Sequence, residues 1–353
     1  MKKAFAINGG AGRVLCAIPA LENYKNNVDN DVVIIAEAWM ELFLLSPTLR
    51  HNVYHVAHKG LFEEKLKDRE IESPEPYRLN AYFNQKANLI QAFDKIINNL
   101  DAVPDTKSIN LELGKAEQVY GHNLVNQVKS QFGKEKAIVV QPFGSGIKLE
   151  GNFVVDTSGR SLELRDFTRL VEELSKSYAV ILMVPFKVPT EKALQAAVPE
   201  DADLIKWAGI INAADYFLGC DSVGQHLAHA LKKPATVVIG STFPENICYP
   251  DNKNFTIIDN GKGKRTYSPI RITHDHGIER DNEDCMILTE DTFDKIIKSV
   301  QNKLGKPKKE KQTVSPVVPH VHSASCSHNQ SNLITPNFEK KYGNVIDSLT
   351  NNG

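Results

Sequence analysis

The sequence predicts an α/β protein of two Rossmann-like domains facing a common cleft, with a polar tail beyond them. Three observations carry this. Strand-like runs alternate with helix-like runs, as in parallel sheets with crossover helices. The first strand of each half runs into a glycine-bearing turn, and the pattern restarts near Lys134. With 353 residues, 41% of them hydrophobic and 24% charged, the chain is long enough for two soluble domains that each bury a core. The expected boundaries are 1–133, 134–304 and a tail of 305–353.

In the first half, Lys3 to Ile7 reads as a short strand and Asn8-Gly9-Gly10-Ala11-Gly12 as a loop. From Arg13 to Lys25, apolar residues at 14, 15, 18, 21 and 24 follow helical spacing. Asp31 to Ala36 (DVVIIA) has the β-branched density of a buried strand, Trp39 to Leu45 is helical, and Asn52 to Ala57 is a third strand. Glu63 to Asn88 is polar and rich in Pro and Tyr, which predicts a long loop lining the cleft. Leu89 to Leu100 is a helix.

In the second half, Ala137 to Gln141 (AIVVQ) is a strand entering Pro142-Phe143-Gly144-Ser145-Gly146. Ser161 to Ser175 is an amphipathic helix with Ser161 as its expected cap. Strands follow at Ala179 to Val184, Tyr216 to Gly219, Thr236 to Ile239 and Phe255 to Ile258. Between them lie a helix from Leu204 to Ala214 and a polar turn, Cys220 to His226, opening a helix to about Leu231. Thr289 caps a closing amphipathic helix to Leu304.

Charge and cysteine usage narrow the function. Lys+Arg number 42 and Asp+Glu 43, so the surface as a whole is not built to track nucleic acid, and no nucleic-acid partner is expected. Five scattered cysteines without a CxxC pair point to a reducing compartment. MKKAFAINGG is interrupted by glycines and reads as a strand and not as an export signal. The expected location is the cytoplasm, with a peripheral place at the inner membrane surface as a variant of it.

Two segments resemble a known family. INGGAGRVLCAIPALENYK (7–25) and ADYFLGCDSVGQHLAHALKKPATVVIGSTFPE (214–245) are similar to the ADP-heptose:lipopolysaccharide heptosyltransferases of glycosyltransferase family 9, which have the GT-B fold. Ile18-Pro19-Ala20-Leu21 matches the end of the family's first helix, and VVQPFGSGIK (139–148) stands where the family has its second-domain strand and loop. The resemblance spans roughly residues 3–304. It implies a nucleotide-diphosphate sugar, ADP-heptose-like, as substrate, a glycan or lipid-linked saccharide as acceptor, and no required cofactor or metal.

The donor-side motif has its own physical logic. A strand turning into a helix at Asp221 to His226 presents unpaired helix amides suited to a diphosphate. Asp221, Ser222, Val223 and Gly224 form that turn, His226 reaches back to a phosphate or ribose, and Ser241 and Thr242 end the next parallel strand at the same crevice. On the residues alone a plain capped helix with a packed His226 is the simpler reading; the resemblance turns the choice towards a ligand site. Gly144 and Ser145 bring flexible backbone near the ligand, and the resemblance adds Lys148 as the cation for its phosphates; a plain turn also explains them.

On the acceptor side Gly9, Gly10 and Gly12 shape the loop. The resembling enzymes carry an aspartate directly after it, taken as the base that deprotonates the acceptor; here that position is Arg13, which cannot accept a proton. Three accounts stay open: Glu37, after the second strand, substitutes as base; Arg13 binds an anionic acceptor or a phosphate; or the chain is a non-catalytic binding or structural protein, with 305–353 as its attachment to a protein partner. A sugar-nucleotide epimerase of the same fold lacks identifiable catalytic acids. Trp39, Tyr77, Tyr82 and Phe83 line the acceptor side or pack in the core. His274-Asp275-His276 reads as a polar loop. His320, His322, Cys326 and His328 have metal-ligand types but read better as an incidental His-rich stretch.

Overall fold

A computed structural model describes residues 2–151, 153–156, 158–190, 193–265 and 283–305. The His-rich tail and His274-Asp275-His276 therefore lie outside the described residues.

The first half contains β1 (Lys2–Ile7), α1 (Ala11–Asn27), β2 (Val33–Ala36), α2 (Met40–Leu44), β3 (Val53–His55) and β4 (Arg69–Glu72), then α3 (Asn80–Phe83) and α4 (Leu89–Ile97). Its strands form a parallel sheet in the order β3-β2-β1-β4. Helix α1 is buried on every side from Arg13 to Leu21, with α4 and, from the second half, the helix Val223–Ala230 packed against it. Asn88 and Gln91 close a reciprocal capping box at the start of α4. The stretch expected as one long loop instead holds a π-helical segment, Leu61–Leu66, the edge strand β4 and a short 3-10 turn, Pro76–Arg78. Strand β4 reads REIE: only one neighbour pairs with it, so charged residues are tolerated and the apolar signal is missing.

The second half follows with α5 (Lys115–Phe132), β5 (Ala137–Gln141), the hairpin strands β6 (Ile147–Glu150) and β7 (Phe153–Asp156), α6 (Leu164–Ser175), β8 (Ala179–Leu182), α7 (Leu204–Ala213), β9 (Tyr216–Cys220), α8 (Val223–Ala230), β10 (Ala235–Ile239), α9 (Pro244–Ile247), β11 (Phe255–Asp259) and α10 (Glu290–Leu304). Five parallel strands run in the order β11-β10-β9-β5-β8. Helix α5 stands before the expected boundary at 133, yet its main partner is α7. The two helices approach so closely at Gly121 and Gly209 that a Cβ on Gly121 would fall onto the Gly209 carbonyl. Ser161 is not a helix cap. Helix α6 starts after Glu163, and the Ser161 hydroxyl instead donates to Asp156 while accepting from the Gly144 amide.

One apolar cluster joins the halves. It runs from Phe5, Leu15 and Phe93 around the first sheet to Val139, Phe217 and Leu227 of the second. A second cluster lies on the opposite face of the second sheet, under α6 and α10. The two sheets thus share one compact unit, and the helices that follow β1 and β9 meet where Gly12 of α1 approaches Val223 and His226 of α8. No helix among the described residues is long and apolar enough to cross a membrane.

Candidate functional site

In the second sheet the strand order reverses between β5 and β9. Connections leave such a switch point in opposite directions, so a crevice opens at the carboxyl ends of the two strands. Gln141 ends β5 and Asp221 follows β9. The Gln141 carboxamide spans the gap: its Oε1 accepts from the Gly224 amide at 2.9 Å, and its Nε2 donates to Ser222 Oγ at 3.1 Å. Ser222 occupies the N-cap of α8 but makes no side-chain cap bond; Gln141 does that work from the neighbouring strand. Gln225 N–H turns back to Ser222 O. The amides of Ser222 and Val223 keep no protein partner among the described residues.

Asp221 is buried beside this turn. Its Oδ1 accepts from Gln225 Nε2 at 3.0 Å, and burial pushes its carboxyl above the ordinary range against the pull of nearby Arg160. Arg160 Nη1 lies 3.9 Å from Asp221 Oδ2, its Nη2 donates to Ser145 Oγ at 3.0 Å, and its Nε donates to Ser158 Oγ at 3.1 Å. The Arg160 side chain passes over Gly144, where a Cβ would lie 3.2 Å from Arg160 Cβ and 3.7 Å from its guanidinium carbon. Asp156 organises this loop by accepting from the amides and hydroxyls of Ser158 and Ser161, and these bonds hold its carboxyl below the usual range despite burial. Ser241 is used the same way, its hydroxyl donating to Ser158 O at 2.6 Å. Thr242 is buried beside Asp221, and its hydroxyl helps to hold that carboxyl down.

Several expected residues are thus brought together: Gly144, Ser145, Asp221, Ser222, Val223, Gly224 and Thr242. Lys148 is not among them. It sits exposed on β6, and the cation at the turn is Arg160, which no sequence motif marks. Gln141 was also missed as more than the end of a strand. Both are legible only once β5, β9 and the hairpin β6–β7 are placed side by side.

His226 is packed rather than turned to the crevice. Its Nδ1 lies 2.6 Å from the Tyr249 hydroxyl and 3.6 Å from Cys16 Sγ. Its other edge abuts Gly12, where a Cβ would stand 2.8 Å from His226 Cδ2 and 3.1 Å from Nε2. Burial, and then His229, lower its pKa from 6.5 to about 3, so the ring is neutral. Gly12 is needed here for room.

On the first sheet, the order reverses between β1 and β4, and Arg13 fills that switch point. It is 8% exposed along the side chain. Nη1 donates to both Glu75 carboxylate oxygens at 3.2 and 3.3 Å, and Nη2 donates to Pro74 O at 2.8 Å. The Tyr77 and Phe93 rings flank the guanidinium at 5.2 and 5.5 Å. Gly9 has φ +93°, and a Cβ there would lie 2.8 Å from Arg13 Cδ, so the loop is shaped around this side chain. Gly10 is exposed with open space over it. Glu37 is exposed at the end of β2, next to Trp39, which holds a left-handed φ of 58°. Tyr82 is core, edge-on to Tyr77, and Phe83 is half-buried. No cluster of metal-ligating side chains occurs among the described residues. A cavity of about 420 Å³ opens against His229 and Tyr249, but none of residues 221–224 lines it.

No family model matches the sequence, and no curated protein does. Solved structures do match. The iron-containing dodecameric glycosyltransferase TibC of enterotoxigenic E. coli is 12% identical with a TM-score of 0.58, covering 86% of this chain and 78% of its own. A family 9 glycosyl transferase from Veillonella parvula is 11% identical with a TM-score of 0.57, covering 85% and 96%. The E. coli ADP-heptose lipopolysaccharide heptosyltransferase II is 12% identical with a TM-score of 0.53, covering 85% and 98%. At such identities the likeness is one of fold, and it agrees with the two parallel sheets and their facing switch points. The chain has a GT-B fold like that of the family 9 heptosyltransferases.

Proposed function

We propose that the chain is a glycosyltransferase that moves a sugar from a nucleoside-diphosphate donor to a hydroxyl of a glycan or lipid-linked saccharide. The observation that carries this reading is the turn Asp221–Gly224 at the β5–β9 switch point. Gln141 pre-sets it, two free amides and the partial positive charge of α8 are directed at its mouth, and Arg160 stands beside it. Amides already held in place lose little freedom when a diphosphate arrives, and they stabilise the leaving diphosphate as charge develops on it. The donor resembles ADP-heptose through the likeness of fold and motifs.

Transfer proceeds with inversion if the acceptor oxygen attacks the anomeric carbon from the face opposite the diphosphate in one displacement. The bond from that carbon to the diphosphate oxygen breaks as the new one forms. A second reading, a non-catalytic GT-B protein, is favoured by one observation: Arg13, where the resembling enzymes have an acid, is buried and tied to Glu75.

Thermal unfolding with ADP, UDP, GDP and their sugar conjugates separates donor binding from its absence. A ligand at 100 times its dissociation constant stabilises the native state by about 2.7 kcal/mol. A shift with one nucleotide, abolished by Arg160→Ala, supports the donor site; no shift with any of them overturns it.

A further inference from the structure

Attack by a hydroxyl requires a group that takes its proton, and Arg13 cannot be that group. We infer that Glu75 is the proton acceptor of the transfer and that Arg13 is its positioning residue; this rests on the glycosyltransferase reading above.

Both residues lie at the switch point of the first sheet, Arg13 after β1 and Glu75 after β4. Arg13 Nη1 donates to both carboxylate oxygens of Glu75, and the Tyr77 amide donates to one of them at 3.3 Å. Glu75 is thereby fixed from two sides, yet its side chain remains 30% exposed while that of Arg13 is 8% exposed. A carboxylate that is held and still open to solvent suits proton transfer, whereas the guanidinium is buried and committed to Glu75 and the Pro74 carbonyl. Arg13 is one residue from Gly12, and Gly12 touches His226 and Val223 of the donor-side helix. The pair therefore stands where the two halves converge. Glu37, the carboxylate expected from the sequence, is exposed with no ion pair or side-chain hydrogen bond among the described residues to fix it.

The step balances without a co-reactant. The acceptor O–H gives its proton to Glu75 as the oxygen bonds to the anomeric carbon, the diphosphate leaves with the electron pair of the broken C–O bond, and Glu75 returns the proton to solvent.

The test uses the full chain and water as acceptor. Hydrolysis of ADP-, UDP- and GDP-sugars is measured for wild type, Glu75→Gln, Glu75→Asp, Glu37→Gln and Glu63→Gln, with nucleoside-diphosphate binding followed in parallel by thermal shift. Glu75→Gln is expected to bind nucleotide like wild type while hydrolysis falls about 100-fold or more. Its pH–rate profile should lose the acidic limb that Glu75→Asp retains, which a merely structural ion pair would not cause. Glu63→Gln, an exposed change, should match wild type. Wild-type hydrolysis by Glu75→Gln, or a loss confined to Glu37→Gln, overturns the assignment. Nucleotide binding without any wild-type hydrolysis also overturns it and leaves the donor site standing. Absence of nucleotide binding overturns the donor-site reading and Glu75 with it.

Discussion

Gln141→Ala tests whether the donor turn is held from the neighbouring strand. The substitution removes the acceptor of the Gly224 amide and the donor to Ser222 Oγ, all of them buried. An orphaned buried amide costs about 1–3 kcal/mol, and a typical net hydrogen bond contributes about 1 kcal/mol. The expected loss is therefore about 2–4 kcal/mol. At roughly 2–3 °C per kcal/mol for a chain of this size, the Tm should fall by about 5–10 °C. Glutamate separates holding the turn from serving the ligand. Gln141→Glu keeps an acceptor for the Gly224 amide and one that Ser222 can donate to, so the Tm should stay near wild type. Its added charge, some 6 Å from a phosphate at an effective dielectric of about 20, costs ~3 kcal/mol of binding, or on the order of a hundredfold in Kd. Thermal unfolding and calorimetric titration with a nucleoside diphosphate read both effects. An unchanged Tm in Gln141→Ala, or undiminished nucleotide affinity in Gln141→Glu, would refute the reasoning.

Other consequences follow from particular contacts. Arg160→Ala should weaken nucleoside-diphosphate binding by about tenfold or more, the weight of one charge-assisted bond, while Lys148→Ala should leave it unchanged; the reverse in a titration would return the role to Lys148. Gly121→Ala gains about 1 kcal/mol of helix propensity, but its methyl would overlap the Gly209 backbone; a net destabilisation of roughly 2 kcal/mol in urea is expected, and a more stable variant would contradict the close crossing of α5 and α7. His226 is held neutral by burial down to about pH 3, whereas the unfolded chain protonates it near its ordinary value of 6.5. The unfolded state thus binds more protons between those values, and stability falls as pH drops through that window, by up to about 1.4 kcal/mol per unit. His229, also depressed by burial, adds to the slope, while buried Asp221, whose pKa is raised, opposes it. Chemical denaturation from pH 7 to pH 4 should show this slope, reduced in His226→Gln; a slope unaltered by the substitution would rule out His226 as its source.

Elements that bury both faces were legible. AIVVQ, DVVIIA and AVILMV are apolar except for a terminal Gln141 or Asp31, and they emerge as β5, β2 and β8 within a residue or two at each end. Strand β4 was not legible because an edge position lets REIE remain charged, and the hairpin β6–β7 was missed because it stands outside both main sheets with no fully buried residue in its strands. Helix α5 carries Val119, Tyr120, Leu124, Val125, Val128 and Phe132 at near-helical spacing, a signal that was available and overlooked. The donor turn was found as a motif, but its supports were not. Gln141 and Arg160 are 80 and 61 residues from Asp221 in sequence, and only the strand order β9-β5-β8 and the Asp156-centred loop bring them to it. Arg13 looked like a ligand for an anion because sequence cannot show that Glu75 lies opposite it; the partner sits after an edge strand that the sequence hides.

The most direct test of the central claim is a crystal structure of the chain with the nucleoside diphosphate that stabilises it. The account predicts a phosphate within hydrogen-bond distance of the Ser222 and Val223 amides, with the Arg160 guanidinium on the same group. A diphosphate bound elsewhere, or a turn at 221–224 left empty beside a bound nucleotide, would contradict it.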